Sequence, residues 1–440
     1  MRIIFFIFFA ALRLSIFGQN QDILKFVHYN LLYFGATSTT CNGSSNSLSA
    51  KKENLATIME YLKPDIFTVN EIGPGEFLFD EILSGALNTN GEKKYKAANP
   101  AINSNLGNML FYNGNKLKLL AQEEIRNELL SDGTFRGPNI VRLVDVYTLY
   151  YRDSVALQRE DTTKLHVLVV HLKAGNTTWN KQDRYEAAKA IMKFVELKKT
   201  KRDNWFLAGD FNIQSSKEEA YQTLTLNEMQ GISFVDPMGS PGNWNNNNLY
   251  SNLHTQSTRS SNTNGGCFSG GGLDDRFDFI LVGNEVMKGD FGVKYIAQSY
   301  RSVGNNGALF NQSIDVSSNN SVPTDVKNAL YKLSDHLPVQ ADFTVQKAKL
   351  DLKQVPQKAP SVLVSNPVHF VLNIRMDGKQ LESKVLLYNY LGQLTKRFVI
   401  PAKEKFFQIN VSDCPKGLYT MHIRSGQTLQ SKKIMMLHQR

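Results

Sequence analysis

Residues 204–212 read NWFLAGDFN, an apolar run from Trp205 to Ala208 that stops abruptly at Gly209-Asp210-Phe211-Asn212. Apolar residues at successive positions leave no polar face, so the run reads as a strand buried on both sides. Its end delivers a carboxylate and an amide in a tight turn. A carboxylate at the end of an apolar strand is costly unless it is solvated, paired or bound to metal. Working outward, KLHVLVVHL (164–172) is a second such strand, closing on His171, and QDRYEAAKAIMKFVELKK (182–199) between the two reads as an amphipathic helix.

The same alternation extends in both directions. FVHYNLLYF (26–34), KKENLATIMEYLKP (51–64) and DIFTVNEI (65–72) predict strand, helix, strand, and further strands are expected at GNMLFYN (107–113), IVRLVDVYTLYY (140–151), FDFILV (277–282) and VQADFTV (339–345). Strands and helices in alternation predict an α/β domain. Between Gly239 and Gly272 lies a stretch rich in Asn, Ser and Gly, read as a mobile surface insertion in preference to a loop that grips substrate.

Six strand-end segments carry a side chain that can bind a metal or move a proton. They are Asn30 in HYNLL, Glu71 in VNEIG, His171 in VVHLKAG, Asp210 with Asn212 in GDFN, Asp278 in RFDFILV, and Asp335 with His336 in SDHLP. Each alone has a plain structural explanation. Glu71 could cap a strand, His171 could be a satisfied core histidine, Asn30 or Asn212 could serve a turn, and Asp278 could pair with Arg276. Their recurrence at strand ends is what points to a site.

In this order, and with GDFN and SDHLP among them, these segments resemble the endonuclease/exonuclease/phosphatase superfamily over about residues 22–345. The resemblance implies a four-layer α/β/β/α sandwich of two facing mixed β-sheets with its site at one rim. It implies Glu71 as principal divalent-metal ligand, supported by Asn30, Asp210 and Asp335. Hard oxygen donors suit Mg2+, with Mn2+ and Ca2+ as alternatives, and no Cys/His cluster offers a zinc site. It further implies His336, oriented by Asp278, as the general base, with Asp210 as the alternative contact for the attacking water. His171 and Asn212 would hold phosphoryl oxygens. Arg142 could add a phosphate contact at the same rim, whereas Arg184 reads as a structural ion pair.

The 440 residues exceed one ordinary core and predict a large domain with a small one. MRIIFFIFFAALRLSIFGQN opens the chain and is expected to be a signal peptide over 1–18; Arg13 argues against the alternative, an uncleaved anchor. The catalytic domain is placed at 20–345, a charged, proline-bearing linker at 346–360, and a small all-β sandwich domain at 361–440. No later segment is long and apolar enough to predict stable membrane insertion. Three cysteines exclude a disulfide scaffold; Cys41 and Cys267 could form one bridge, with Cys414 far away in the last domain.

KVLLYNYLGQLTKRF (384–398) and DCPKGLYTMHIRSGQTLQSKKIMM (413–436), with LGQ, KGLY and KKI as hallmarks, resemble the type IX secretion sorting domain of Bacteroidetes proteins. The resemblance implies export through the periplasm of a Gram-negative bacterium, by the type IX machinery, to the cell surface or medium. The alternative for this domain is a carbohydrate- or surface-binding module. A net charge of +10, part of it contributed by the tail, favours a polyanionic partner. The reading as a whole predicts a secreted nuclease acting on DNA in preference to RNA. Its rivals are a phosphatase or phospholipase-like hydrolase of sphingomyelinase or inositol phosphate type, and a non-catalytic binding protein.

Overall fold

The structure, a computed structural model, describes residues 21–99, 106–126, 142–159, 162–198, 203–226, 233–348, 361–377, 382–425 and 428–437. The expected signal peptide and most of the expected linker, from 349 on, lie outside these residues. The chain divides into two compact units, Met1–Lys349 and Leu350–Arg440. Among the described residues, no helix is long and apolar enough to cross a membrane.

The first unit carries strands β1 (Gln21–Phe34), β2 (Ile66–Ile72), β3 (Tyr95–Ala97), β4 (Gly107–Asn113), β5 (Leu117–Ile125), β6 (Val144–Tyr151), β7 (Lys164–His171), β8 (Asn204–Asp210), β9 (Phe234–Val235), β10 (Asp278–Gly283), β11 (Val293–Tyr295), β12 (Arg301–Ser302) and β13 (Val339–Gln346). One sheet runs β11-β13-β1-β2-β4-β3, with β12 also on β13, and the other runs β5-β6-β7-β8-β10-β9. Both are mixed. In the first, β1 is parallel to β2 and antiparallel to β13; in the second, β7 is parallel to β8 while β8 and β10 are antiparallel.

Strand β8 shows how the layers form. Trp205 and Leu207 join Ala188, Ile191 and Val195 of the helix Thr178–Lys198, whereas Phe206 and Ala208 join Phe26, Val167 and Ile280 between the sheets. The period of two sends alternate side chains to two different apolar layers, so both faces had to be apolar. On the other flank the helix Leu48–Leu62 buries Leu55, Ile58 and Met59 in the same core as β1 and β2. The result is the expected four-layer α/β/β/α sandwich. Gly209 is required where β8 passes β7: a Cβ there would sit 2.0 Å from the Val170 carbonyl oxygen.

The 239–272 stretch corrects its sequence reading as a mobile insertion. His254, Thr255, Ser257, Thr258 and Arg259 in it are buried. The Arg259 guanidinium lies 4.1 Å from the Phe268 ring centroid and 4.4 Å from that of Tyr331, and it donates to the carbonyls of Tyr331 and Ser334. Cys41 and Cys267 form a disulfide that ties this stretch to the loop after β1. A polar composition here does not mean freedom, because the side chains are spent on specific internal contacts.

The second unit is all-β: β14 (Ser361–Val364), β15 (Val371–Asp377), β16 (Ser383–Tyr388), β17 (Leu394–Ile400), β18 (Phe406–Asn410), β19 (Gly417–Ser425) and β20 (Thr428–Met436). They form a three-stranded sheet, β14-β15-β18, and a four-stranded one, β17-β16-β19-β20. Alternate residues, Leu372, Ile374 and Met376 from one sheet and Val385, Leu387, Met421 and Ile423 from the other, fill one core.

Candidate active site

The site is where the apolar stripe between the two sheets runs out into polar side chains. On β7 the inward positions Val167 and Val169 are followed by His171; on β8 Phe206 and Ala208 are followed by Asp210; on β10 Val282 and Ile280 lead back to Asp278. Cross-strand register then sets His171 beside Asp210 and Asp210 beside Asp278. In the facing sheet, Phe26 is followed on the same face by His28 and Asn30, which pair with Thr68 and Asn70 of β2. One period-two pattern, repeated on five strands, assembles the cluster.

Glu71 sits at the end of β2 with φ +63°, an uncommon left-handed conformation for a side chain of this size. Its Oε2 accepts from the Tyr33 amide at 3.1 Å, and its Oε1 accepts from Asn30 Nδ2, also at 3.1 Å. The same Asn30 Nδ2 donates to Asp210 Oδ2 at 3.0 Å, so one amide bridges two buried carboxylates. Asn30 Oδ1 meanwhile accepts from the Leu32 amide, so Asn30 offers the pair a donor where a cation would want its oxygen. His171 Nε2 lies 3.6 Å from Glu71 Oε1 and 3.5 Å from Asp210 Oδ2. Glu71, His171 and Asp210 thus bring three candidate ligand atoms within 4.8 Å of one another.

Burial, reinforced by Asp278 and Glu71 and opposed by His336 and Arg142, raises the Asp210 carboxyl above its ordinary range. Burial, with Arg142, His336 and His28 adding positive charge nearby, holds His171 far below the usual imidazole value, in its neutral form. Two close carboxylates, one of them reluctant to ionise, and a neutral imidazole are a donor set that a divalent cation fits.

The second device lies alongside. His336 Nδ1 is 2.8 Å from Asp278 Oδ2, and His336 Nε2 is 3.9 Å from Asp210 Oδ2. Burial alone would depress His336, but Asp278, through charge and hydrogen bond, and then Asp210 and Asp335, raise it well above the usual value. Asp335 stands outside the three-residue cluster. Its Oδ2 accepts from the Ser269 amide at 3.0 Å, and its buried Oδ1 has no hydrogen-bond partner. Asn212, at φ +51°, donates its backbone N–H to Asp210 Oδ1 and its amide to the Leu172 carbonyl.

The two arginines separate. Arg142 precedes β6 instead of lying in it, donates to the Leu172 carbonyl, and projects its charge onto His171 and Asp210. Arg184 is buried against Glu218 at 2.7 Å and pins the carbonyls of Lys173 and Gly175 in the loop after β7. Asp278 does not pair with Arg276, contrary to the plain reading of the sequence; Arg276 makes a two-pronged pair with Asp236 at 2.7 and 2.9 Å.

Sequence reasoning missed His28, Asn70, Asn108 and Gln256. His28, two residues before Asn30 and therefore on its face, reaches within 3.8 Å of Asp278 Oδ1, and burial pushes it down to about 4. Asn70 Oδ1 accepts from the Asp210 backbone N–H at 2.8 Å, Asn70 Nδ2 donates to Asn108 Oδ1 at 2.6 Å, and Asn108 Nδ2 donates to Asp145 Oδ2 at 2.9 Å. That buried relay ties Asp210 to both sheets. Two-residue spacing from the assigned positions was the signal that could have found His28; Gln256 had none.

Residues 27–336 match the model of the endonuclease/exonuclease/phosphatase family, and residues 365–437 match that of the secretion system C-terminal sorting domain. No curated protein sequence matches the chain. Similar solved structures include D. rerio TDP2 complexed with single strand DNA product, 14% identical with a TM-score of 0.47, covering 73% of this chain and 99% of that one. Two more are the human Nocturnin catalytic domain with bound sulfate anion (16% identity, TM-score 0.43, 74% and 97% covered) and the mannosyl-6-phosphatase of Bacteroides thetaiotaomicron VPI-5482 (17%, 0.42, 73% and 99%). With the sandwich, the strand-end cluster and a family match spanning most of the catalytic unit in agreement, the chain belongs to the endonuclease/exonuclease/phosphatase family of phosphate-ester hydrolases.

Proposed function

We propose that the protein is an exported, divalent-metal-dependent phosphodiesterase that hydrolyses extracellular DNA, with RNA as the lesser polynucleotide substrate. The observation that carries this reading is the placement of two devices at one rim, the Glu71–Asp210–His171 cluster and the Asp278–His336 pair, 3.9 Å apart at their nearest nitrogen and oxygen. Glu71 and Asp210 would hold the cation, with Asn30, once its amide is turned, and Asp335 supporting them. Mg2+ is the expected ion, with Mn2+ or Ca2+ as substitutes. Bound there, the cation supplies charge stabilisation to the phosphoryl oxygens.

The chain's own residues do the rest. His336 keeps its Nδ1–H on Asp278, so that Nε2, once it has given up the proton that the surrounding carboxylates favour, presents the lone pair that can take a proton from the attacking water. Asp210 is the second group within reach of that water. His171 and Asn212 hold phosphoryl oxygens as charge builds on them, and Arg142 adds positive charge at the same edge. A net charge of +10 raises the local concentration of a polyanion. The match of 365–437 to a sorting domain supports delivery by the type IX machinery, through the periplasm, to the cell surface or medium.

Cleavage of supercoiled plasmid by the purified chain, with Mg2+, Mn2+ or Ca2+ supplied in turn, tests the proposal. His336→Ala should lower turnover by roughly 100- to 10,000-fold, with Glu71→Ala at least as damaging. If wild type leaves plasmid, linear DNA and RNA intact while cleaving a small phosphate ester or a lipid head group, the nuclease reading falls. Undiminished cleavage by His336→Ala would remove the catalytic assignment itself.

A further inference from the structure

Gln256 lies in the stretch whose order the sequence concealed. Its backbone is fixed on one side by Asp274 and Asp275, whose N–H groups donate to the Gln256 carbonyl at 2.9 and 3.0 Å. On the other side the segment runs antiparallel to Asp335–Leu337: the Thr258 amide donates to the Asp335 carbonyl at 2.9 Å, and the Leu337 amide to the Thr255 carbonyl at 2.7 Å. Arg259, stacked between two rings, and the Cys41–Cys267 bridge anchor the chain on its C-terminal side. From this frame the Gln256 side chain reaches into the site, with Nε2 2.8 Å from His336 Nε2 and 3.5 Å from Asp335 Oδ2.

The geometry points to Gln256 as a positioning residue for His336, an inference that rests on reading His336 as the proton-transferring group. An imidazole hydrogen-bonded only at Nδ1 can rock about its hydrogen bond with Asp278, which moves Nε2, the atom that must meet the proton. Gln256 holds the opposite edge, so the ring is fixed from two segments that come from different parts of the chain. A primary amide suits this place for a specific reason. Its N–H donates to Nε2 of the neutral ring, and after a half-turn its carbonyl accepts from Nε2–H of the protonated ring. It can therefore pair with the imidazole before and after a proton transfer, with no net charge of its own, and must release Nε2, which has one lone pair, while the proton of the water moves onto it. A glutamate can only accept from the ring, and a methionine of similar length can do neither.

The side chain is half-exposed and is not part of the apolar core, and its segment is held by backbone bonds, so substitution should spare the fold. Three measurements on the full chain test the role: kcat and KM on whichever phosphate ester the wild type cleaves, the melting temperature, and the imidazole 15N resonances without substrate. Gln256→Met should lower kcat roughly 10- to 100-fold with KM and melting temperature unchanged, and should shift the His336 Nε2 resonance while leaving that of His28 in place. Gln256→Glu should not restore kcat. Wild-type kcat in Gln256→Met would overturn the inference, as would a rise in KM at constant kcat, which would make Gln256 a substrate contact. An unmoved His336 resonance would also overturn it. Should wild type cleave only a non-nucleic-acid ester, yet the resonance shift and kcat loss appear there, the nuclease reading fails and the role of Gln256 stands.

Discussion

Arg276 and Asp278 are two residues apart, both buried, and both belong to ion pairs, yet the two pairs are built on opposite terms. Around Arg276 the charge is balanced, although its buried Nε has no hydrogen-bond partner. Asp236 grips the guanidinium with both oxygens, Tyr221 donates to the same carboxylate, and the rings of Trp244, Phe279 and Tyr300 surround the cation. Burial would raise Asp236, but Arg276 outweighs it and holds the carboxyl below its usual range. Around Asp278 the balance is anionic: Glu71, Asp210 and Asp278 converge on neutral or titratable histidines, Asp210 is pushed up, and Asp278 Oδ1 has no hydrogen-bond partner. The first pair balances its charge within the chain. The second stands among two further carboxylates, Glu71 and Asp210, an excess of acidic groups that suits a site built to receive a cation.

The largest effect that separates the two is on stability. Asp236→Ala strands a fully buried guanidinium and should cost about 3–5 kcal/mol, read as a lower denaturant midpoint at an unchanged slope. Activity per folded molecule should persist. If the midpoint barely moves, the Arg276 pair is not a closed structural unit.

The next effect comes from the other side. A divalent cation that binds only the folded protein stabilises it by about 2.7 kcal/mol at a free concentration 100 times its dissociation constant. Wild type should therefore melt higher in Mg2+ or Mn2+ than in chelator, and Glu71→Gln should lose most of that gain. An equal gain in both proteins would place the cation elsewhere.

How much of this was visible in the sequence depended on whether a residue's role is expressed along the chain or across it. The strands around 164–172 and 204–212 were legible because both of their faces are apolar, and their terminal His171 and Asp210 stood out against that background. Short pairing segments such as β9 and β12, two residues each, carry no period to detect. Arg276 stands two residues from Asp278, the partner a plain reading of the sequence offers, but its actual partner Asp236 is 40 residues away, brought close by the sheet. Gln256 was invisible for a different reason. In a run of Asn, Ser, Thr and Gly one more amide carries no signal, and only the register between 255–258 and 335–337 gives it a role. Glu71, His171, Asp210 and Asp278 were visible as a set because each stands at or beside a strand end, whereas Asn30 lies inside β1 and Asp335 and His336 precede β13; the groups that hold these side chains were not visible, because amides and backbone donors are common everywhere.

The smallest effect concerns the far end of the Asp210 relay, where the buried Asp145 is separated from Asp210 by two amides, Asn70 and Asn108. Burial raises its carboxyl to about 7 from an ordinary 3.8, with Glu124 adding to the rise and Asn108 and Arg126 opposing it. A raised acid binds its proton more tightly in the folded chain than in the unfolded one. Between those two values the folded state carries the extra proton, so stability falls as pH rises through the window and the whole penalty is felt above about 7. Asp145→Asn replaces the ionisable oxygen with an amide that never charges, and should flatten the stability profile over that interval in chelator. The amide can still offer an oxygen to Asn108 Nδ2, so the relay to Asp210 keeps its donor and turnover at pH 7 should hold near wild type. A profile as steep in the variant as in the wild type would mean that the buried charge lies elsewhere in the sandwich. A flattened profile with lost turnover would mean instead that the Asp145 charge, carried through Asn108 and Asn70, helps hold Asp210 in place.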